Sequence, residues 1–399
     1  MIGKIERNLI DYLLKHKRLI YFVVITILAI LIRMSLFDFK SADYNIFLNA
    51  WYFKIAKLGG LTALKNQVGN YSVPYQFLIA LFTYIPVNNL YLYKMLSVIF
   101  DFLAAYFGAK LVHSIDKKID ILLPYTVILA IPTVIFNSSL WAQADAIYTG
   151  VMIGSLWMLY QRKYIPSFIF LGIALSFKLQ AIFIFPFYLL VYLLRKDFSI
   201  LHFFISLISL YLCNIPGFIY GRKIFTPFEV YLNQAGTYKK INMNFPNFTS
   251  LLNFQVNNAN LVSYRIVHNF LIIFTVIILI MGYMFILNHH DFIKIDGQEF
   301  LLLAIWTFWT CIMFLPGMHE RYGFFVDVLL SLAVIEDRKL IPVAFLFILS
   351  STIAYVRVLF GMAYNFNLIS YVVIGAYVYF TFFVTFNRNN ESLFSKHLF

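Results

Sequence analysis

The chain has 399 residues, of which 62% are hydrophobic and only 12% are charged, and its formal net charge is +13. Because a soluble globular domain carries about 25% charged residues, this composition excludes an ordinary soluble fold. We therefore expect the basic residues to mark one side of a membrane, with the lipid bilayer as a partner and no nucleic acid.

Apolar runs long enough to cross a bilayer recur along the whole sequence. A spanning helix needs about 20 mostly apolar residues. The pattern predicts one all-α domain over residues 1–399, a polytopic transmembrane helical bundle of about twelve spans. The predicted spans are 19–37, 90–113, 120–140, 146–161, 164–177, 179–194, 198–219, 262–288, 298–315, 323–336, 340–358 and 366–386.

The positions of the basic residues predict the orientation. If the N-terminus lies inside the cell, the short inner loops are basic, as in "QRK" at 161–163, which is what the positive-inside rule expects. This predicts a multi-pass protein of the cell membrane with both termini cytoplasmic. The segments that then fall outside are 38–89, 141–145, 177–180, the long loop 220–261 and "PGMHERYG" at 316–323.

The first outer segment, 38–89, contains "SADYNIFLNAWYFKIAKLGG" at 41–60. Phe47, Trp51 and Ile55 share a helical face, which predicts a helix in the membrane interface that the two glycines at 59–60 end. Asp43 precedes that helix. It could be an N-cap, a carboxylate base at the membrane surface, or both.

Further along this segment and in the next outer turn, polar side chains interrupt apolar sequence. "GNYSVPYQF" carries Tyr71 and Tyr75, which could anchor the membrane interface or contact a substrate. "LWAQADAIY" carries Trp141, Gln143 and Asp145 between two uncharged spans. Asp145 could cap the next helix, but an amide and a carboxylate together also suit hydroxyl recognition.

Two charged residues inside one predicted span also need partners. Lys94 and Asp101 share a face of the span 90–113 but stand about 10 Å apart, too far to bond directly. Each is predicted to pair with a different helix and to be structural.

Two later blocks supply cations. "SFKLQAIFIFP" places Lys178 and Gln180 between apolar segments, where the Lys could extend to headgroups or bind a phosphate. "MHERY" offers His319 and Arg321, whose N–H groups could donate hydrogen bonds to a phosphate. In the same block, Glu320 could merely neutralise the Arg, and Tyr322 follows it. The spacing does not match H-E-x-x-H, so no metal site is predicted.

Taken together, the blocks resemble those of GT-C-fold integral-membrane glycosyltransferases, and most closely the mannosyltransferase-like group related to GPI-anchor mannosyltransferase II. They are "SADYNIFLNAWYFKIAKLGG", "NYSVPY", "LYKMLSVIFD", "LWAQADAIYTG", "LGIALSFKLQAIFIFP" and "MHERYGFF", in family order from about residue 41 to 330. The family usually has Gly after the Trp of "LWAQAD", whereas this chain has Ala142.

The resemblance implies an inverting transferase that moves a sugar from a polyprenyl-phosphate carrier to a hydroxyl of a cell-envelope glycan or glycolipid on the extracytoplasmic side. Asp43 would be the general base, and His319, Arg321 and Lys178 would bind the donor phosphate. The other candidate substrate-binding residues are Tyr71, Tyr75, Trp141, Gln143, Asp145, Gln180, Glu320 and Tyr322. No cofactor is predicted, although Asp43 and Asp145 could share a divalent cation.

Two other functions remain open. A flippase of lipid-linked sugars would place ionisable residues near the bilayer midplane. A polysaccharide polymerase would be expected to use paired arginines in a large outer loop, and 220–261 holds Arg222, Lys223, Lys239 and Lys240.

Overall fold

The computed structural model describes residues 3–237, 239–252, 261–289 and 295–386. It is almost entirely helical, with 78% helix and 1% strand. The predicted all-α fold is therefore confirmed.

The helices follow one another with short connections. In chain order they are α1 (Lys4–Lys15), α2 (Lys17–Met34), α3 (Asn49–Lys57), α4 (Val73–Phe82), α5 (Asn89–Ile115), α6 (Leu122–Ala130), α7 (Pro132–Ile135), α8 (Asp145–Tyr160), α9 (Tyr164–Phe177), α10 (Phe185–Arg195), α11 (His202–Cys213), α12 (Ile215–Ile219), α13 (Thr226–Thr237), α14 (Leu261–His289), α15 (Gln298–Phe314), α16 (Phe324–Glu336), α17 (Ile341–Phe360) and α18 (Phe366–Phe386). Two π-helical turns cover Tyr44–Leu48 and Phe136–Leu140, and 3₁₀ turns cover Gly60–Lys65, Leu179–Ile184, Phe248–Leu252 and Arg338–Leu340. The strands are β1 (Asn242–Met243) and β2 (Met318–His319).

Several helices could cross a membrane. Among the described residues, four helical stretches are long and apolar enough: Asn89–Ile115, Val262–Asn288, Arg338–Phe360 and Phe366–Phe386. A fifth arises if the pair Leu122–Ala130 and Pro132–Leu140, bent by 63°, is one broken span. All the predicted spans fall on helices, but several, such as α9, are too short to count by length alone. The helices are therefore those of a multi-pass membrane protein.

The first outer segment forms the predicted helix, with one difference at its start. A π-helical turn over Tyr44–Leu48 precedes α3, and Gly59, at φ 85°, ends it in a left-handed conformation that glycine adopts without strain. Ile55 is buried in a small core with α4, whereas Phe47 and Trp51 line a cavity.

Of the two charges inside α5, Asp101 pairs with another helix as predicted, whereas Lys94 binds a non-helical stretch instead. Arg33 of α2 donates from Nε to Asp101 at 2.9 Å, and the Ser138 hydroxyl donates to the same carboxylate at 2.6 Å. Lys94 donates to three backbone carbonyls just after α2, at 2.7 to 2.9 Å. Both groups have partners outside their own helix, so Asp101 joins α5 to α2 and Lys94 joins it to the stretch that follows α2.

The long loop is fastened to the rest of the chain at two points. Arg222 donates to the Leu64 carbonyl at 2.6 Å and to the Gln76 side chain at 2.7 Å, both in the first outer segment. Near its other end, β1 pairs in parallel with β2, with Asn242 opposite Met318. Two residues of the loop, Lys239 and Lys240, lie just before that pairing.

Candidate functional site

A cavity of about 500 Å³ opens where these fastened segments meet. Its walls come from the segments 38–89, 141–145 and 177–180, from the long loop, from α14 and from the "MHERY" block. The lining residues are Asp43, Phe47, Leu48, Trp51, Asn70, Tyr71, Gln143, Lys178, Leu179, Gln180, Phe183, Lys240, Met243, Asn244, Tyr264, His268, Ile272, Leu315, Pro316, Gly317, Met318, His319, Glu320, Arg321, Tyr322 and Val358.

Asp43 presents its carboxylate to the cavity. Its Oδ2 accepts hydrogen bonds from Trp141 Nε1 at 3.0 Å and from Gln143 Nε2 at 2.7 Å. The N-cap interpretation is wrong, because Asp43 makes no capping bond and the Ser41 hydroxyl oxygen accepts from the Tyr44 N–H at 3.1 Å instead. Among the described residues, Oδ1 of Asp43 accepts no hydrogen bond.

The backbone between Trp141 and Gln143 explains how both side chains reach one carboxylate. A π-helical turn ends at Leu140, and Ala142 then adopts a left-handed conformation with φ 63°. A left-handed backbone costs a residue with a Cβ roughly 1–2 kcal/mol. Ala142 adopts it here while it is buried.

Asp145 lies beneath the cavity, where it accepts hydrogen bonds from two side chains and lies within ion-pair distance of a third. It is fully buried at the start of α8, where it forms an ion pair with Lys178 Nζ and accepts from Asn137 Nδ2 at 3.1 Å. Arg321 Nε lies 3.4 Å from its second oxygen, Oδ2. Asp145 therefore holds two cations in place and does not itself line the cavity.

The "MHERY" block forms a second set of charges on the wall. Arg321 Nη1 donates to Glu320 Oε1 at 2.9 Å, and His319 Nδ1 lies 3.8 Å from Glu320 Oε2. Burial lowers the pKa of His319 below its ordinary value, although the bond to Glu320 opposes this. Burial acts to raise the pKa of Glu320, but His319 and Arg321 bring it below its usual value. Glu320 thus neutralises Arg321, as one of the two interpretations expected.

Aromatic side chains complete the wall. Tyr71 donates weakly to Gln143 Oε1 at 3.4 Å, and burial raises its pKa to about 12, so its phenol stays a neutral donor. The Lys178 ammonium lies 5.6 Å from the ring centroid of Tyr322, within cation–π range. The Arg321 guanidinium lies 5.8 Å from the ring centroid of Trp141.

Most of the predicted site residues meet at this cavity. Those that line it are Asp43, Tyr71, Gln143, Lys178, Gln180, His319, Glu320, Arg321 and Tyr322.

Three predicted substrate contacts are corrected. Trp141, 1% exposed, holds Asp43 from behind, and Asp145 holds the cations from below. Tyr75 is 2% exposed and packs against the ring of Tyr71 at 4.7 Å between centroids. All three side chains contact neighbouring protein groups, so they support the cavity wall and do not line it.

The structure adds lining residues that the sequence did not single out as a site. Tyr264, His268 and Ile272 lie on one face of α14, and Asn244 follows β1. Lys240 stood out only as part of a basic loop. The single available signal was the polarity of Tyr264 and His268 at a spacing of four near the start of a long apolar run, which is common at membrane interfaces.

The site offers little to a metal ion. Within the described ranges, no group of three or more His, Cys, Asp and Glu side chains is arranged to hold one. The sequence left open that Asp43 and Asp145 could share a cation, and each of these carboxylates accepts from protein donors.

No protein-family model matches the sequence, and no curated protein matches it. The likeness to the GT-C group therefore depends on the sequence blocks alone.

Proposed function

We propose that this chain is an inverting glycosyltransferase that uses a polyprenyl-phosphate sugar as donor and a hydroxyl of a cell-envelope glycan or glycolipid as acceptor. The observation that carries the proposal is the carboxylate of Asp43, held on a cavity wall that also presents Lys178 and Arg321. A base and two cations around one space are what transfer from a phosphate leaving group requires.

Asp43 suits the role of general base. Its Oδ2 is occupied by Trp141 and Gln143, which fix the side chain, while Oδ1 has no hydrogen bond among the described residues. The acceptor hydroxyl would attack the anomeric carbon from the face opposite the phosphate. Its proton would pass to Oδ1, the bond between the anomeric carbon and the phosphate oxygen would break, and that oxygen would keep the electron pair.

The cations suit the leaving group. As the bond breaks, negative charge grows on the phosphate, and preorganised N–H donors stabilise it without having to reorient. Asp145 and Glu320 fasten Lys178 and Arg321 and so hold them ready. His319 lies beside them as a further donor.

The remaining wall suits a sugar. Gln180 and Asn70 offer amides, and Tyr71 and Tyr322 offer phenols, which are the usual partners of hydroxyl groups. Trp51, also in the lining, provides a flat apolar face.

We further propose the membrane arrangement that the sequence predicts: about twelve spans, cytoplasmic termini and a cavity on the extracytoplasmic side. Its support is that every polar segment of the cavity wall falls in one of the predicted outer segments or at the end of a span. The polymerase alternative loses its main support, because Arg222 donates to Leu64 and Gln76 and is used structurally.

The test is Asp43→Asn in the purified chain in nanodiscs, supplied with polyprenyl-phosphate sugars labelled in the sugar and a membrane extract as acceptor. We expect transfer to fall by about 10²–10⁴-fold, because loss of a general base removes an effect of that size. The matched control is Asp38→Asn, five residues upstream in the same segment, whose carboxylate contacts Tyr91 and does not line the cavity.

Unchanged transfer by Asp43→Asn would refute the base assignment. A wild-type chain that moves the labelled lipid across the bilayer without transferring its sugar would instead identify a flippase. The loss of one sugar from an envelope glycan in cells lacking the protein would identify the acceptor.

A further inference from the structure

The charges deep in the cavity do not by themselves attract an anion. Lys178 and Arg321 are each within ion-pair distance of a carboxylate. With Asp43, Asp145 and Glu320, these two cations form a set with three carboxylates and a net charge of minus one. A phosphate approaching this set meets more negative than positive charge, so its ground-state binding needs another cation.

Lys240 is that cation. It lines the cavity, its side chain is exposed, and it forms no ion pair with a carboxylate of the described residues. The long loop places it there: β1 pairs with β2, and the Gly317 N–H donates to the carbonyl of Ile241 at 2.8 Å. The pairing therefore joins Lys240 to the "MHERY" wall.

The same cavity is also lined by α14, which supplies a stripe of side chains along the helix. Tyr264, His268 and Ile272 follow each other at a spacing of four and extend over about 12 Å at the rise of an α-helix. The first two offer a hydroxyl and a ring N–H, and the third is purely apolar. The polarity thus falls along the stripe.

The surroundings of α14 indicate what this wall faces. Only 22% of its apolar stretch is buried, so most of the helix surface points away from the protein. Ile272 both lines the cavity and is 38% exposed. A cavity whose wall continues onto the outer surface of an apolar spanning helix is open to a hydrocarbon chain from the bilayer.

We infer that the α14 wall binds an amphiphilic lipid phosphate, with Lys240 and His268 holding the phosphate group and the hydrocarbon chain leaving past Ile272. The inference deepens the proposed function, on which it rests, because it assigns the carrier lipid to one wall. The sugar and the acceptor hydroxyl are then left to the wall of Asp43 and Gln143. Lys178 and Arg321 act later, when charge develops on the departing phosphate.

The phosphate part is tested by binding. The full chain in phosphatidylcholine nanodiscs is titrated with a short isoprenyl phosphate, with the matching isoprenol and with inorganic phosphate. We expect Lys240→Gln to weaken binding of the isoprenyl phosphate by about tenfold, as loss of a charged hydrogen bond does, and to leave isoprenol binding unchanged. Lys240→Arg should bind within about threefold of the wild type, since the charge is kept.

The matched control is Lys239→Gln, which removes the same charge from the neighbouring exposed residue that does not line the cavity. Equal losses in Lys239→Gln and Lys240→Gln would show general attraction to a basic loop and overturn the inference. Binding by Lys240→Gln that equals the wild type would overturn it as well.

The position of the hydrocarbon chain is tested by Ile272→Trp, which narrows the exit from the cavity. The control is Ile273→Trp in the same helix, because Ile273 is 59% exposed and does not line the cavity. We expect only Ile272→Trp to weaken the binding of isoprenyl phosphate, and we expect neither variant to change the binding of inorganic phosphate. If inorganic phosphate binds as tightly as the lipid phosphate and neither Trp variant matters, the site takes a free phosphate and the lipid assignment is wrong.

The two proposals can fail separately. If the wild type binds isoprenyl phosphate through Lys240 but transfers no sugar, the transferase proposal fails and the lipid-phosphate site stands. If the wild type transfers sugar and Lys240→Gln does so with an unchanged KM for the donor, the site assignment fails and the transferase stands.

Discussion

Two buried ion clusters in this molecule have similar chemistry and different surroundings. The core cluster is Arg33, Asp101 and Ser138, and the cavity cluster is Asp145, Lys178, Glu320 and Arg321. Burial does not separate them: the side chains of Arg33 and Asp101 are 1% and 0% exposed, and those of Lys178 and Asp145 are 3% and 0% exposed. The difference is that Lys178, Glu320 and Arg321 border an open cavity, whereas none of the core cluster does.

The comparison teaches that a charge within an apolar run does not by itself identify a site. Intramembrane ionisable residues are functional candidates by default, and Arg33 and Asp101 meet that description. Their charges are used to join α2 to α5, together with a carbonyl of α6 that accepts from Arg33 at 3.2 Å. A space that another molecule can enter is the additional requirement, and only coordinates supply it.

The largest expected effect is a loss of sugar transfer when the ion pair of the cavity cluster is replaced by apolar residues of similar volume. The same kind of replacement in the core cluster is the control. Lys178→Met with Asp145→Leu should fold, since such replacements are often neutral or stabilising. It should lose transfer by about 10²-fold or more, because preorganised donors are gone. Arg33→Met with Asp101→Leu should also fold but keep transfer within about threefold.

The measurement is labelled-sugar transfer per folded molecule, with folding checked by size-exclusion profile and thermal unfolding. If both double variants kept transfer, the cavity cluster would be structural like the core cluster. If both double variants lost transfer, the proposed difference in role between the two clusters would be wrong.

The next effect concerns stability in the core cluster. Asp101→Leu alone leaves Arg33 buried without its carboxylate and should cost about 3–5 kcal/mol of unfolding free energy. Adding Arg33→Met should recover most of that loss. Reversible denaturant unfolding, by tryptophan fluorescence, measures both variants, and a double variant no more stable than the single one would contradict the assignment of a simple pair.

The smallest effect is a pH dependence of stability at His319, which lies beside the cavity cluster. Burial holds the pKa of His319 below its ordinary value of 6.5, so the unfolded chain binds more protons than the folded chain just below that pH. Stability contributed by His319 is therefore complete above pH 6.5 and decreases as the pH falls through 6.5 toward the folded pKa. Glu320, whose pKa lies below 4.5, acts only at lower pH.

Thermal unfolding of the wild type and of His319→Gln between pH 7.5 and 5.5 tests this. The wild type should lose more of its Tm on acidification than the variant does, because the variant lacks the proton uptake. Parallel curves would mean that His319 does not carry the dependence.

Much of this fold could be predicted from the sequence, because the length and spacing of apolar runs determine where helices form in a membrane protein. The stretch 366–386 coincides with α18, and 120–140 coincides with α6, α7 and the π-helical turn that follows. The bend of 63° after Ala130 was not predicted, although Pro132 follows it. A proline signals a break in a helix but not the angle that neighbouring helices impose on it.

The sequence alone also determined which residue types the outer segments would bring, because a carboxylate or guanidinium is conspicuous among apolar neighbours. The tertiary structure decided their roles. Asp43 borders the cavity and Asp145 lies beneath it, although both lie at the start of a helical segment. Lys240 joined the wall through the pairing of β1 with β2, two segments more than 70 residues apart. The physical reason is that local patterns encode backbone conformation and burial, whereas a site depends on which distant side chains the packing leaves facing one shared space.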